Sequence, residues 1–352
     1  MRKTNKRFSK LGKLLALGLS LALTVTTVTG CGDSGKDAGS SSSDSSADTS
    51  GSGDATTLRL GVMTGNIDHL IAVLGQEKGF FKDNGIDLQV TEYAAGINTV
   101  DALTMDQIDV GIAADFAILN RLGNTEGSDL KIVANYANAT GGQFYANPET
   151  VKSIDDLNGK KIINLPGVVY EYWNTLVVKK AGLNEGEYEF VNVDSQPSGV
   201  AVASAGDADA FWGSGEVGAQ LASYGWQPIL TLDELGAMTT MFFVTREGWA
   251  KENAETLKKF YAGYNATVDF IKNNTDEAAS IVEAKAGLKA DLFKQMLASY
   301  DLGIQFKQKA FDYLDGVNTW LKENNYYKNP YDTKSILLLD AAKEAYPDQF
   351  EI

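Results

Sequence analysis

The chain has 352 residues, 44% of them apolar and 22% charged, which is enough for a globular body of about two domains. One cysteine and one histidine exclude a disulfide framework and a Cys/His zinc cluster, and they leave His69 as the single base for a Ser-His-Asp triad. The net charge of −15 argues against a phosphate backbone as ligand, so no nucleic-acid partner is expected.

The N-terminus has the features of an export signal. Residues 1–13 carry six basic side chains and no acidic one, and an apolar run follows over residues 14–28. This run is too short for a membrane-spanning helix and is typical of a signal peptide. Small residues precede Cys31, and the segment resembles a bacterial lipobox. We therefore predict a lipoprotein signal peptide over residues 1–30 and lipidation of Cys31.

A flexible tether is predicted over residues 31–57. Gly and Ser make up 14 of the residues 32–56, and such a segment cannot bury enough surface to offset its ordering entropy. The lipid would hold the protein on the extracytoplasmic face of the cell membrane.

Short apolar runs then alternate with helical stretches, which indicates an α/β fold with mostly parallel sheets. Strands are predicted at 58–63, 86–90, 109–113, 161–165, 188–193 and 209–212. Helices are predicted at 68–76, 99–105, 168–180 and 199–205. Asp109 and Asp209 lie 100 positions apart, and Gly65 and Gly167 lie 102 apart. We interpret this as a repeated βαβαβ unit in two lobes, the alternative being coincidence between two generic stretches.

Helices alone are predicted from residue 249 onward. Apolar side chains with 3.6-residue spacing define the buried face of the first one. These residues are Leu257, Phe260, Tyr261, Tyr264, Val268 and Ile271. Further helices are predicted from 275 and near 289–301, 307–324 and 333–346. We expect them to pack on the first lobe, because no new strands accompany them.

Four short motifs occur in order along the body. They are residues 79–86 (GFFKDNGI), 107–111 (QIDVG), 154–162 (IDDLNGKKI) and 205–211 (AGDADAF). Together they resemble the solute-binding proteins of ABC importers for nitrate, sulfonates, taurine and thiamine-pyrimidine precursors. The resemblance covers about residues 58–280.

This resemblance implies the two-lobed, type II-like clamshell of periplasmic binding proteins. Lobe 1 would comprise residues 58–138 and 240–352 and lobe 2 residues 139–239, with crossings near 139–146 and 236–245. A small solute would bind in the cleft, the lobes would close by hinge motion, and the closed form would dock on a membrane permease. No enzymatic activity, cofactor or metal is implied, and a monomer is expected. A receptor that reports to a sensor instead of a permease remains an alternative.

Ligands of α/β sheets bind beyond the carboxyl ends of parallel strands, where helices begin. The same loops carry ligand contacts in the family that the chain resembles. Asn138 and Thr140 are added because they lie at the first crossing. The candidate ligand-binding residues are Thr64, Gly65, Asn66, Asp68, His69, Asp115, Phe116, Asn138, Thr140, Gly167, Val168, Tyr170, Glu171, Trp212, Ser214 and Glu216.

Several candidates also have a purely structural interpretation. Asp68 and Glu171 could neutralise a helix N-terminus. His69 could be a surface or capping residue, Trp212 could belong to the core, and Tyr170 could pack within its lobe.

The acidic candidates bear on the ligand. An anion would be repelled by Asp68, Asp115, Glu171 and Glu216. Residues 166–171 also lack the Ser or Arg of sulfonate-binding members. We therefore hypothesise a flat, neutral or cationic nitrogen heterocycle, such as a thiamine pyrimidine precursor, stacked on Trp212 or Tyr170. A sulfonate, taurine or a nitrate-like solute is the alternative.

Residues 213–218 (GSGEVG) match the dinucleotide fingerprint G-x-G-x-x-G, with Asp233 twenty positions after Gly213. An exported dinucleotide-dependent oxidoreductase is therefore the rival function. The motif follows the third strand of its unit, whereas the fingerprint normally follows the first, and residues 224–226 (YGW) end the helix early.

Overall fold

The computed structural model describes residues 55–352. The predicted signal peptide, Cys31 and residues 31–54 of the predicted tether lie outside the described residues. Within the part that is described, no helix is long and apolar enough to cross a membrane.

Strands and helices alternate over the first two thirds of the described chain. The strands are Thr56–Met63 (β1), Ile86–Tyr93 (β2), Gly111–Ala114 (β3), Leu130–Ala139 (β4), Gln143–Ala146 (β5), Lys161–Asn164 (β6), Glu189–Asn192 (β7), Ala210–Gly213 (β8), Gln227–Thr231 (β9), Thr239–Arg246 (β10) and Tyr300–Gln305 (β11). The helices are Ile67–Lys78 (α1), Phe80–Asp83 (α2), Gly96–Thr104 (α3), Asp115–Gly123 (α4), Val169–Lys180 (α5), Gln196–Ala205 (α6), Gly215–Ser223 (α7), Leu232–Leu235 (α8), Glu247–Glu252 (α9), Ala254–Asn273 (α10), Thr275–Ala286 (α11), Ala290–Leu297 (α12), Gln308–Glu323 (α13) and Asp340–Ala345 (α14). Short 3-10 helices occur at Ile154–Asp156, Thr333–Ile336 and Pro347–Gln349.

The strands form three sheets. β1 and β2 pair in parallel from Thr56↔Ile86 to Met63↔Tyr93, and a parallel bridge joins Leu60 to Val110. The second sheet has the order β11-β4-β10-β3 and is antiparallel, and the third has the order β7-β6-β8-β5-β9. In the third sheet β6 runs parallel to β7 and β8, whereas β5 runs antiparallel to β8 and β9.

The two predicted βαβαβ units are both present, as β1-α1-β2-α3-β3 and β6-α5-β7-α6-β8. Their aspartates make matching contacts. The amide of Asp109 donates to the Arg59 carbonyl at 2.8 Å, and its carboxylate accepts from the Arg59 amide at 2.9 Å. Asp209 makes the same two contacts with Lys161, both at 2.8 Å. Each aspartate therefore fixes the register of the third strand of its unit against the first.

The second and third sheets differ from the prediction of mostly parallel sheets, because both contain antiparallel pairs. Strands β4, β5, β9 and β10 are absent from the predicted elements. The chain leaves the second sheet along β4 and returns to it along β10, and it enters the third sheet along β5 and leaves it after β9, so each of these two pairs is antiparallel. The passages between these two sheets are residues 140–142 and 236–238, shorter than the predicted crossings, since β5 and β10 begin within the predicted ranges. A Cβ on Gly141 would lie 2.4 Å from Ser299 Oγ, and one on Gly142 would lie 2.7 Å from Leu232 Cδ1, so a side chain at either position requires a neighbour to shift.

The C-terminal region follows the prediction in part. The apolar face of α10 is buried as predicted, with Phe260 and Tyr261 fully enclosed. The expectation of no further strand is wrong, because the predicted helix 289–301 ends early and β11 pairs with β4, from Tyr300↔Ala139 to Gln305↔Asn135. The predicted helix 333–346 is a 3-10 turn followed by α14.

Helix α13 contacts two regions of the chain. It contacts α4, but its Tyr313 also packs against Tyr172 of α5 with ring centroids 5.9 Å apart. Aromatic residues on α5 present apolar surface that the third sheet does not cover. Helix α13 packs on this surface and therefore contacts both α4 and α5.

Candidate functional site

A cavity of about 1160 Å³ opens beside the third sheet. Three groups of residues form its wall: the starts of α5 and α7, the passage at 140–142 with β10, and the segment around α12. The lining residues are Ala139, Gly141, Gly142, Leu165, Val168, Val169, Tyr170, Trp173, Gln196, Trp212, Gly213, Ser214, Gly215, Glu216, Ala219, Leu232, Thr239, Met241, Leu288, Leu292, Gln295, Met296, Ser299 and Tyr300.

One wall of this cavity is aromatic. Trp173 lies between Tyr170 and Trp212, with ring centroids 5.1 and 5.3 Å away. Gln196 donates a 2.7 Å hydrogen bond to the Tyr170 hydroxyl, and burial raises the pKa of Tyr170 to about 12, so this phenol stays protonated at neutral pH. Trp212 is only 1% exposed and packs on Phe144, so it contributes an edge of the wall and belongs largely to the core.

The predicted residues Val168, Ser214 and Glu216 also line the main cavity. Val168 and Ser214 are the N-caps of α5 and α7, and neither side chain caps its helix. The first backbone N–H groups of both helices are therefore not bonded by their caps, and they favour electron-rich ligand atoms. Glu216 accepts from Gln220 at 3.0 Å, and it is the one charged side chain among the lining residues.

A smaller cavity of about 470 Å³ adjoins the first and shares Val168, Val169 and Thr239 with it. The predicted residues Asp115, Phe116 and Gly167 lie in its wall, together with Val168. The start of α4 therefore lies close to the loop before α5, because both line this smaller cavity.

Asp115 itself is fully buried. Its carboxylate accepts from the Phe116 amide at 2.6 Å and from the amide and hydroxyl of Thr240 at 2.6 and 2.9 Å. Burial outweighs these bonds and raises its pKa to about 6. These hydrogen bonds connect α4 to β10, and the buried carboxylate has no exposed surface that a solute could contact.

The loop after β1 lies elsewhere: Thr64, Gly65, Asn66, Asp68 and His69 line neither of these two cavities. Gly65 donates from its backbone to His69 Nδ1 at 3.1 Å, and His69 Nε2 lies 3.6 Å from Glu92.

Asp68 is almost completely buried. Its Oδ2 accepts from the Met63 amide at 2.8 Å, whereas Oδ1 has no hydrogen-bond partner. Burial raises its pKa to about 6. Burial, and secondarily the charge of Asp68, also raises the pKa of Tyr300 to about 12. Tyr300 lines the main cavity, whereas Asp68 does not.

Glu171, Asn138 and Thr140 also have local surroundings away from the cavities. Glu171 Oε2 accepts from the Gly167 amide at 3.0 Å and from the Tyr326 hydroxyl, which joins α5 to the segment after α13. Asn138 is buried with its Oδ1 unpaired, and exposed Thr140 donates from its backbone to the Ser299 carbonyl at 3.1 Å. None of the three lines either cavity.

The sequence analysis missed the wall that α12 provides. Leu288, Leu292, Gln295, Met296 and Ser299 all line the main cavity. Leu292, Gln295 and Met296 lie on one face of α12, and Leu288 and Ser299 flank the helix with the same spacing, which was readable in the sequence. The expectation that ligands bind beyond the carboxyl ends of parallel strands does not select these residues, because α12 follows another helix and not a strand.

Packing accounts for Gly213 and Gly218 of the G-x-G-x-x-G motif, whereas Gly215 has open space around it and a φ of 49°. A Cβ on Gly218 would lie 2.8 Å from the Tyr145 hydroxyl, and one on Gly213 would lie 3.0 Å from the Gly218 amide. These positions let α7 approach β8 and β5 closely. Among the described residues, no group of three or more His, Cys, Asp or Glu side chains could hold a metal ion.

Comparisons of sequence show relatives along most of the chain. A family model described as NMT1/THI5 like matches residues 66–278, more than half of the chain. Proteins of Brucella abortus and Brucella suis, named as binding proteins, are 25% identical over 306 residues. These residues cover 82% of this chain and 92% of each relative.

Solved structures share the fold at low identity. The periplasmic aliphatic sulphonate binding protein SsuA of Escherichia coli is 17% identical with a TM-score of 0.68, covering 80% of this chain and 97% of that one. The sulfonate-binding protein SsuA of Methylobacillus flagellatus is also 17% identical, with a TM-score of 0.69 over 84% of this chain and 95% of that one. The desulfurization enzyme DszB, solved as a mutant with biphenyl-2-sulfinic acid, is 15% identical with a TM-score of 0.61 over 83% and 99%. The chain therefore belongs to the NMT1/THI5-like family and has the periplasmic-binding-protein fold.

Proposed function

We propose that the protein is the extracytoplasmic solute-binding lipoprotein of an ABC importer. It captures a small organic solute in the main cavity and delivers it to a permease in the cell membrane. The observation that carries this proposal is one large cavity that residues of α5, α7, β10 and α12 line together. The chain also belongs to the NMT1/THI5-like family, and its Brucella relatives are named as binding proteins.

The proposed mechanism is hinge closure of two lobes, residues 58–138 with 240–352 and residues 139–239. The passages at 140–142 and 236–238 are short, which suits a hinge in which a few residues absorb the change in backbone angles. The affinity for solute then depends on the population of the closed form.

The favoured solute is a neutral or cationic nitrogen heterocycle, such as a pyrimidine precursor of thiamine. Glu216 is available to a basic ring nitrogen, and the lining residues include no Lys or Arg to balance an anion. Glu216 is the acidic side chain that disfavours an anion in this cavity, because Asp68, Asp115 and Glu171 are bonded or buried away from it. A sulfonate, taurine or a nitrate-like solute is the alternative, and the E. coli relative is named as a sulphonate-binding protein.

The test is calorimetric titration of the purified protein with 2-methyl-4-aminopyrimidine and with taurine. Saturable binding of the pyrimidine supports the proposal. Binding of taurine without a response to pyrimidines would replace the heterocycle by a sulfonate, and binding of neither, nor of any solute in a metabolite screen, would refute the binding function.

The lipid anchor is tested separately. Cells that express the full chain and grow with labelled palmitate should incorporate the label, and Cys31→Ala should abolish incorporation and release the protein from the membrane fraction. Labelling that survives the substitution would contradict anchoring at Cys31.

An enzymatic role is the second candidate, because the fold is shared with the desulfurization enzyme DszB. It is tested by incubating the purified protein with biphenyl-2-sulfinate and following sulfite release. We expect none, since we assign the cavity to binding.

A further inference from the structure

Helix α12 and the residues that flank it contribute five residues to the main cavity, three of them apolar, and we refer to this set as the α12 face: Leu288, Leu292, Gln295, Met296 and Ser299. Leu292 is 51% exposed although it is a large apolar side chain. An apolar side chain inside a concave site remains exposed at a cost in free energy unless something covers it.

The opposite side of α12 is fixed to the protein. Phe293 is fully buried, and Lys294 forms a 2.5 Å ion pair with Asp276 of α11. At its C-terminal end, the Ser299 carbonyl accepts from Thr140 of the passage between sheets, and Gly141 is in close contact with Ser299. The α12 face is therefore a positioned wall.

The same cavity is lined by the aromatic wall of Tyr170, Trp173 and Trp212. The cavity of about 1160 Å³ is slightly larger than the roughly 300–1,000 Å³ of organic ligand sites, and far larger than a compact inorganic anion requires. Two apolar walls and one charged side chain, Glu216, are complementary to a molecule with an extended apolar part.

Building on the proposed function, we infer that the α12 face is the second half of the solute site and selects solutes that carry an apolar body of at least ring size. Leu292 is its specificity-determining residue. Compact ions such as nitrate and methanesulfonate are poor ligands because they leave both walls uncovered.

Matched ligand pairs test the inference by calorimetry on the purified protein. The probes are benzenesulfonate against methanesulfonate and 2-aminopyrimidine against formamidine. We expect the ring-bearing member of at least one pair to bind at least tenfold more tightly, and Leu292→Ala to weaken that binding by about tenfold, since the side-chain atoms removed contact the apolar body. The matched control is Met105→Ala, because Met105 is 60% exposed and lines neither cavity.

A readout that does not depend on the solute is the fluorescence of 8-anilinonaphthalene-1-sulfonate. Native protein should bind this probe, and Leu292→Glu should weaken binding at least tenfold while its circular dichroism and melting temperature remain those of the parent. Equal affinity for compact and ring-bearing ligands, or unchanged probe and ligand binding in the Leu292 variants, would overturn the inference while solute binding stands. Absence of binding by every ligand in a metabolite screen would instead refute the proposed function, and the inference with it.

Discussion

The indole nitrogen of Trp173 donates a 2.8 Å hydrogen bond to the phenol oxygen of Tyr313. Trp173 belongs to α5, beside the third sheet, whereas Tyr313 belongs to α13, which follows β11 of the second sheet. Both side chains are buried, so water does not compete for the bond. Helix α13 thus supports one wall of the cavity through this hydrogen bond and through the packing of Tyr313 on Tyr172.

Removing this bond should destabilise the protein. Trp173→Phe and Tyr313→Phe should each lower the free energy of unfolding by about 1–3 kcal/mol, because each leaves a buried polar group unpaired. The measurement is urea denaturation of both single variants and the double variant. The double variant should lose less than the sum of the single losses, and additive losses would show that the bond contributes nothing of its own.

Stability should fall as the pH rises from about 4 to 6. Burial raises the pKa of Asp68 from 3.8 to about 6 in the folded protein, so the native state binds this proton more tightly than the unfolded chain. The resulting stabilisation is complete below about pH 4 and is lost as the pH passes 6, a change of about 3 kcal/mol. Urea denaturation at pH 4 and pH 7.5 measures most of this change.

Asp68→Asn should reduce this pH dependence, because the amide does not ionise. The variant should keep part of the slope, since the pKa of Asp115 is also raised to about 6. Exposed Asp87 provides the control substitution Asp87→Asn. A slope unchanged in Asp68→Asn would contradict the assignment.

Gly141→Ala should destabilise the protein and impair solute binding. The added Cβ would lie 2.4 Å from Ser299 Oγ and 2.5 Å from Ser299 Cβ, so the passage or α12 must shift, at about 1–3 kcal/mol. Thermal denaturation measures the loss, and Ser299→Gly in the same chain should restore part of it. Gly248→Ala is the control, because Gly248 lies in α9 with open space around it and alanine favours helix. Equal effects at both glycines would exclude the steric explanation.

Glu216→Gln should change the preference of the cavity for charge. Because Glu216 is the one charged lining residue, its neutralisation should weaken binding of an aminopyrimidine and strengthen binding of a sulfonate, each by roughly threefold to tenfold. Calorimetry with both ligands detects the change, and Glu185→Gln at an exposed loop position serves as the control. A uniform loss for both ligands would indicate a structural role for Glu216.

The repeated unit was readable in the sequence, because local periodicity defines it. The spacing of Asp109 and Asp209 corresponds to matching backbone contacts, and the apolar face of α10 is buried as predicted. In β10 the apolar run from Met241 to Val244 indicates a buried strand, but it does not indicate the antiparallel partner of that strand. Its pairing depends on where the chain passes between sheets, which no local pattern encodes.

The sequence by itself determined the fold class, the order of the two βαβαβ units and the ends of the strands where a ligand is expected, since these follow from periodicity and from the geometry of parallel strands. Only the tertiary structure decided which of those ends meet. It placed Tyr170, Trp212 and Glu216 at one cavity, buried Asp68 and Asp115 in their own hydrogen bonds, and added α12 as a wall. A site between packed elements depends on distances across the molecule, and these are fixed by core packing and by close contacts such as Gly141 with Ser299.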